Sequence, residues 1–80
     1  MCRHLHLNLD VLPWPINVLK FSQAVHDLQP GDDMTASITD DDVVGNLRQL
    51  LRRQANVRYD VTRSKNDSHI IHVTRARATL

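Results

Sequence analysis

The sequence predicts an α/β protein, a two-layer sandwich in the order β-α-β-α-β-β, with a mixed four-stranded sheet and two helices on one face. Two observations carry this prediction. Four short segments alternate apolar and polar residues, which is typical of strands with one buried face. Two longer segments between them space their apolar residues every three or four positions, as amphipathic helices do. The 80 residues fit a single domain, 1–80, with an ordered core over about 4–75.

A proline-rich segment joins the first predicted strand to the first predicted helix. Alternation predicts the strand, whose inward residues are Leu5, Leu7, Leu9 and Val11. Pro13 and Pro15 end this strand, because proline cannot donate a hydrogen bond to a sheet. Pro15 also suits the first turn of a helix that is predicted to run to Leu28. The apolar stripe of that helix comprises Val18, Leu19, Phe21, Ala24, Val25 and Leu28.

The remaining elements follow from the same two patterns. A strand is predicted over 34–39, and Asp40, Asp41 and Asp42 then open a second helix by capping free N–H groups and complementing the helix dipole. Gly45 inside that helix costs about 1 kcal/mol relative to Ala, and close packing on the sheet is one explanation for it. Two strands over 57–62 and 70–74 form a hairpin. Right-handed crossovers make the first βαβ unit parallel and place both helices on one side.

The charge is unevenly distributed, although the net charge is only +1. Residues 1–42 carry two basic and seven acidic residues, a net −5, and residues 43–80 carry eight basic and two acidic residues, a net +6. Cys2 is the only cysteine, which excludes an internal disulfide and fits a reducing, cytoplasmic setting. No apolar run approaches the roughly 18 residues that span a membrane, so no membrane partner is expected.

No cofactor and no metal are expected, since the sequence has neither a Gly-rich phosphate loop nor the cysteine spacing of a zinc site. His4 and His6 share one face of the first strand and could bind zinc as a pair, beside the ordinary interpretation as exposed sheet histidines. The run of Asp40, Asp41 and Asp42 also has two interpretations, a divalent cation site or a solvated helix start, and the capping argument favours the second.

The segment Pro13-Trp14-Pro15-Ile16-Asn17-Val18-Leu19-Lys20 resembles the motif region of the TusA/SirA-like (YedF-like) sulfur-carrier family. In that family a short strand precedes a Cys-Pro-x-Pro motif, a helix with Lys near its second turn, and a Pro-Gly pair. Here Pro15, Lys20 and Pro30-Gly31 keep that spacing, whereas Trp14 replaces the cysteine and Asn17 replaces the second proline. The resemblance covers about Leu5 to Arg75 and implies the same fold.

The resemblance implies sulfur transfer for the family, but the substitution at position 14 removes the transferring atom. A cysteine at a helix N-terminus is stabilised as a thiolate, which accepts and passes on persulfide sulfur. Indole has no nucleophilic atom for this step, so the sequence favours a non-catalytic role without deciding whether the protein is an enzyme. The expected partner is a protein, for which a sulfur-relay component is the implied class. The implied docking residues are Pro13, Trp14, Pro15, Asn17 and Lys20, with Asp40, Asp41 and Cys2 as weaker candidates.

Two of these residues have competing interpretations. The Trp14 ring either caps an apolar gap between helix and sheet or projects as an anchor for a partner. Cys2 is either an incidental thiol or a cryptic relay residue. A predicted strand of about ten residues at ~3.3 Å each separates Cys2 from Trp14, which favours the incidental thiol.

Three functions are therefore left open. The first is a non-catalytic interaction or regulatory relative of the sulfur carriers, and the second is a carrier that acts through Cys2. The third is RNA binding by the basic half of the chain, although few aromatic residues are available for base stacking. The arginines behind this third function are Arg48, Arg52, Arg53, Arg58, Arg63, Arg75 and Arg77.

Overall fold

The computed structural model describes residues 4–64 and 66–76. Its elements follow the predicted order β-α-β-α-β-β, with one additional 3-10 turn between the first strand and the first helix. The strands and helices, in chain order, are β1 His4–Asn8, α1 Ile16–Asp27, β2 Asp33–Ile38, α2 Asp41–Arg52, β3 Val57–Arg63 and β4 His69–Arg75.

The four strands form one mixed sheet in the order β1-β2-β4-β3. Strands β1 and β2 are parallel, with His4 opposite Asp33, as the right-handed crossover predicts. Strand β4 is antiparallel to both β2 and β3, so β1 and β3 are the two edges. The predicted mixed sheet is confirmed, and β1 and β2 end side by side where the two strand-to-helix loops begin.

The core lies between the helices and one face of the sheet. Alternate residues of β2 are buried in strict period two, and the outward residues are half-exposed. Each helix contributes one apolar stripe, and burying each large apolar side chain stabilises the fold by about 1.5–3 kcal/mol. The completely buried side chains include Phe21 and Val25 of α1, Leu47 of α2, Met34 and Ala36 of β2, and Ile71 and Val73 of β4.

The first strand is shorter than predicted. It ends at Asn8, and the residues Leu9–Val11 form a 3-10 turn. The Asn8 side chain accepts a hydrogen bond from the Asp10 N–H at 3.1 Å, a local bond that competes with continuation of the strand. Leu9 is still fully buried, but the prediction that Val11 points inward is wrong, since Val11 is 72% exposed.

Three further expectations need correction. Leu19 does not widen the buried stripe of α1, because it is 63% exposed on the side opposite Phe21. Helix α1 begins at Ile16, and Pro15 is its N-cap residue and not part of its first turn. Gly45 does not pack on the sheet, since a Cβ atom built there would meet nothing within 4 Å.

Candidate functional site

The loop that carries Trp14 is fixed to the rest of the fold at its beginning. The Asp10 carboxylate accepts hydrogen bonds from the N–H of Thr39 at 2.9 Å and from its hydroxyl at 3.0 Å. These bonds join the loop after β1 to the loop after β2. These bonds place the two loops side by side at the same end of the sheet.

Two buried residues also anchor the loop to the core. Leu9 is completely buried at the end of β1, and Asn17 is only 5% exposed in the first turn of α1. The Leu12 N–H donates to the Leu9 carbonyl at 3.2 Å, and the Asn17 N–H donates to the Pro13 carbonyl at 3.1 Å. The Trp14–Pro15 peptide bond between these anchors is cis. The two hydrogen bonds of Leu12 and Asn17 hold the main chain before and after Trp14 in place.

Four large apolar side chains are exposed at or near the start of α1. Their exposed fractions are 72% for Val11, 60% for Trp14, 44% for Ile16 and 63% for Leu19. Ile16 and Leu19 are three residues apart on α1 and therefore share a helix face. We call these four residues the Trp14 patch. The exposure of Trp14 means that its ring does not cap a gap in the core, and of the two interpretations only the projecting ring agrees with the structure.

Residues around the Trp14 patch are also exposed. Pro13 and Pro15 flank the ring and are exposed, and their fixed backbone angles restrict the loop. Lys20 is exposed and lies four residues after Ile16, so it presents a positive charge one turn further along the same side of α1. Of the five predicted docking residues between Pro13 and Lys20, only Asn17 is buried, and its side chain bonds to the main chain of Val18.

Asn17 reduces the number of free N–H groups at the N-terminus of α1. Its side-chain oxygen accepts a hydrogen bond from the Val18 N–H at 2.7 Å, while its own N–H is taken by Pro13 and the Leu19 N–H by Pro15. Free N–H groups at a helix N-terminus are what normally stabilise an anion there. Two of these groups, those of Asn17 and Val18, are already occupied by the protein itself, whereas the bond from Leu19 to the Pro15 carbonyl is the ordinary first hydrogen bond of the helix. The start of α1 therefore offers fewer free N–H groups to a thiolate or persulfide, quite apart from the absence of a thiol at position 14.

The weaker candidates Asp40 and Asp41 have structural partners. The Asp40 carboxylate caps α2 by accepting from the N–H groups of Asp42 at 2.9 Å and Val43 at 3.4 Å, which confirms the predicted capping. The Asp41 carboxylate forms a side-chain hydrogen bond with His69 at the start of β4. Cys2 lies outside the described residues. Within residues 4–64 and 66–76, no group of three or more His, Cys, Asp or Glu side chains is placed to hold a metal ion.

The sheet face opposite the helices carries a histidine cluster that the sequence indicated only in part. His4 Nδ1 lies 2.9 Å from one oxygen of Asp33, and His72 Nε2 lies 3.0 Å from the other. These hydrogen bonds, the one from His72 first, lower the pKa of the Asp33 carboxyl below its ordinary value of 3.8. His6 is bonded instead to Thr35 at 2.7 Å. The two histidines that were predicted to share a face therefore engage different residues of β2.

The arginines do not gather on one surface. Arg48 and Arg52 are exposed on α2, whereas Arg58 is exposed on β3, on the face of the sheet that the helices leave open. Arg75 is half-buried on the other face, where its guanidinium donates to the Val25 carbonyl of α1 at 2.9 Å. Arg77 lies outside the described residues. The two other described arginines of this set, Arg53 just after α2 and Arg63 at the end of β3, are also exposed, so the set is divided between the helices and the sheet.

Comparisons of the chain with protein families, with characterised proteins and with solved structures found no match. The resemblance to the TusA/SirA-like sulfur carriers therefore stays a prediction from the residues quoted above. Among the described residues, no helix has the length and apolar character needed to cross a membrane.

Proposed function

We propose that this protein is a non-catalytic interaction module, related to the TusA/SirA-like sulfur carriers, that docks onto a partner protein through the Trp14 patch. The observation that carries the proposal is the 60% exposure of Trp14 in a loop whose two ends are hydrogen-bonded in place. Four exposed large apolar side chains within nine residues of the chain, on an ordered main chain, are typical of a protein interaction site.

The energetics favour docking at this position. Tryptophan is enriched among residues that dominate binding energy, and burying a large apolar side chain contributes about 1.5–3 kcal/mol. The hydrogen bonds of Asp10 and Asn17 have already ordered the loop in the free protein. Less conformational entropy is therefore lost on binding, so a larger share of the contact energy appears as affinity.

The resemblance supplies the class of partner in this proposal. Members of the sulfur-carrier family that this chain resembles carry a cysteine at this position and exchange sulfur with proteins that dock at the same end of the sheet. A chain that retains the edge but carries Trp14 would compete for, scaffold or regulate such a cytoplasmic sulfur-relay protein. The occupied N–H groups around Asn17 support the non-catalytic half of the proposal, because they leave little stabilisation for a bound anion.

Site-specific photo-crosslinking in cells tests the docking half of the proposal. A photoreactive residue at Val11, which is 72% exposed, is expected to capture a distinct protein. The same residue at Thr62, which is exposed on β3, is the matched control and is expected to capture none. Adding Trp14→Ala to the Val11 probe should abolish the product. A product of equal yield with both probes, or one that survives Trp14→Ala, would count against docking at the Trp14 patch.

Intact-mass spectrometry tests the non-catalytic half. The purified protein is incubated with a cysteine desulfurase and cysteine in the absence of reductant, beside a Cys2→Ser variant. We expect neither protein to gain the mass of a sulfur atom. A gain that disappears in Cys2→Ser would establish a carrier that works through its N-terminal cysteine and would replace this half of the proposal.

A further inference from the structure

Strand β3 is one of the two edges of the sheet, and no described strand lies beside its outer side. On its other side it pairs with β4, where the Ser64 N–H donates to the Ser68 carbonyl at 2.8 Å and the Ala76 N–H to the Asn56 carbonyl at 2.7 Å. In an antiparallel pair, every second residue directs both main-chain groups toward the neighbouring strand, and the residues between direct theirs away. The even-numbered residues of β3 therefore bond to β4, and the odd-numbered residues turn their N–H and C=O groups outward.

The outer side of β3, which we call the β3 edge, lacks features that commonly block an exposed strand. The strand is seven residues long, has no bulge in its register with β4, and contains neither proline nor lysine. Its odd-numbered apolar residues Val57, Tyr59 and Val61 pack against the core from the helix side but are only half-buried. The β3 edge therefore offers unpaired main-chain groups and a strip of apolar side chains to another strand.

The sequence of the β3 edge is complementary to itself in antiparallel pairing. If Tyr59 lies on a two-fold axis, Val57 stands opposite Val61 of the second copy, and Arg58 stands opposite Asp60. The outward-facing odd residues then form the hydrogen-bonded pairs, so each exchanges both main-chain bonds with the opposite strand. Arg58 and Asp60 occupy the pairs between them, where opposed side chains approach most closely.

Charge selects this register over its neighbours. A shift of the axis to residue 58 or to residue 60 would place Arg58 opposite Arg58, or Asp60 opposite Asp60, and like charges directly opposite are destabilising. Both side chains are exposed, and neither forms a hydrogen bond or an ion pair with another described residue. Each is therefore available to pair with the opposite charge of a second copy.

We propose that the β3 edge pairs antiparallel with the β3 edge of a second copy of this chain, about a two-fold axis at Tyr59. The two four-stranded sheets then form one continuous sheet, with the helices of both copies on the same face. Such a strand-to-strand contact is small, so we expect a weak, reversible dimer.

This dimer is independent of docking through the Trp14 patch. The patch follows β1, the opposite edge of the sheet, so Trp14→Ala should dimerise like the wild type. A photoreactive residue at Thr62, near the β3 edge, then captures a second copy of this chain and no distinct protein.

Sedimentation equilibrium of the full-length protein between about 1 µM and 1 mM tests the inference, with Cys2→Ser as a common background that excludes a disulfide. We expect a reversible equilibrium between monomer and dimer. Arg58→Asp and Asp60→Arg each oppose like charges at both ends of the contact and should weaken the dimer at least about tenfold. Arg48→Asp makes the same change of charge at an exposed position of α2 and should leave the affinity nearly unchanged.

Charge exchange gives the sharpest form of the test. The double variant Arg58→Asp/Asp60→Arg restores opposite charges at each pair and should recover the dimer. An equimolar mixture of the two single variants should associate more strongly than either alone, because every opposed pair then combines opposite charges. Amide exchange of the wild type should slow at Val57, Tyr59 and Val61 as the concentration rises, and change little at Arg58 and Asp60, which bond to β4.

The inference is overturned by a protein that remains monomeric over the whole concentration range, or by a dimer that both single variants leave unchanged. A mixture of the two single variants that associates no better than either alone would also overturn it. Far-ultraviolet circular dichroism establishes that each variant is folded, and the mixture and the double variant keep the test decisive if one single variant loses stability.

Discussion

Asp10 and Thr39 join the two loops that define the candidate site, since one carboxylate oxygen accepts both the N–H and the hydroxyl of Thr39. Asp10 follows β1 and Thr39 follows β2, so the pair joins the C-terminal ends of these two strands, at the beginning of the loop that carries Trp14. The link adds to the burial of Leu9 and to the main-chain hydrogen bonds of Leu12 and Asn17 in ordering the loop, and it joins residues 29 positions apart.

Removal of this link is expected to lower the free energy of unfolding. Asp10→Ala removes both hydrogen bonds and should cost about 1 kcal/mol, whereas Thr39→Val removes only the hydroxyl bond and should cost about half as much. The double variant should cost less than the sum of the two single variants and about as much as Asp10→Ala alone, since both single variants remove the hydroxyl bond. Urea unfolding of the four proteins measures this coupling. Strictly additive costs would mean that the two residues act separately.

The two glycines of the chain should respond to alanine in opposite ways. Gly45→Ala is expected to stabilise the protein by about 0.5–1 kcal/mol, because the added Cβ meets nothing within 4 Å and alanine favours the helix. Gly31 has a φ of 92°, so Gly31→Ala should destabilise it by about 1–2 kcal/mol. Thermal unfolding measures both effects. A loss of stability in Gly45→Ala would show that this position has a role in packing.

Stability should depend on the ionisation of Asp33. Hydrogen bonds from His72 and His4 lower the pKa of this carboxyl in the folded state below 3.8. A depressed carboxyl pKa contributes stability at pH values above the unfolded pKa, and this contribution is lost as the pH falls through the folded value. The stability difference between the wild type and Asp33→Asn should therefore be greatest above about pH 5 and shrink below pH 3.8.

Urea unfolding at several pH values checks this prediction, with the His4→Ala/His72→Ala background as the control. In that background the pH-dependent part of the Asp33→Asn effect should be much smaller, because the hydrogen bonds that lower the pKa are absent. A pH dependence that is identical in both backgrounds would assign it to other carboxyls.

A thiol placed at position 14 should be only weakly activated. The N–H groups of Asn17 and Val18 at the start of α1 are engaged within the protein, so the Trp14→Cys variant should have a thiol pKa close to the ordinary value of about 8.5. Adding Asn17→Ala frees the Val18 N–H and should lower that pKa. The pH dependence of alkylation measures both values, with Cys2→Ser as a common background. A strongly lowered pKa in Trp14→Cys alone would show that the helix end can still stabilise an anion.

The sequence predicts the sheet and the helices well, because alternation and helical spacing both record which side chains face the core. The same reasoning places Val11 and Leu19 wrongly, since an apolar residue that serves a surface looks identical in sequence to one that serves the core. The Asn8 side chain explains the early end of β1, because it accepts a hydrogen bond in the turn that follows. The apolar and polar residues continue to alternate as far as Val11, so the sequence pattern does not show where the strand ends.

Other parts of the candidate sites depend on tertiary register. His4 and His72 meet at Asp33 only because β2 lies between β1 and β4, an order that no local pattern specifies. The exposed state of Trp14 also required the structure, because its sequence position suits either interpretation.

Titration of the photo-crosslinked partner with the wild type and with Trp14→Ala tests the central claim most directly. Trp14 is the only tryptophan in the chain, so a blue shift of its emission reports burial of this ring against a tryptophan-free partner fragment. We expect that shift, and an affinity that falls at least about 30-fold in a folded Trp14→Ala protein, as for a dominant interface residue. Unchanged emission together with unchanged affinity would contradict docking through the Trp14 patch.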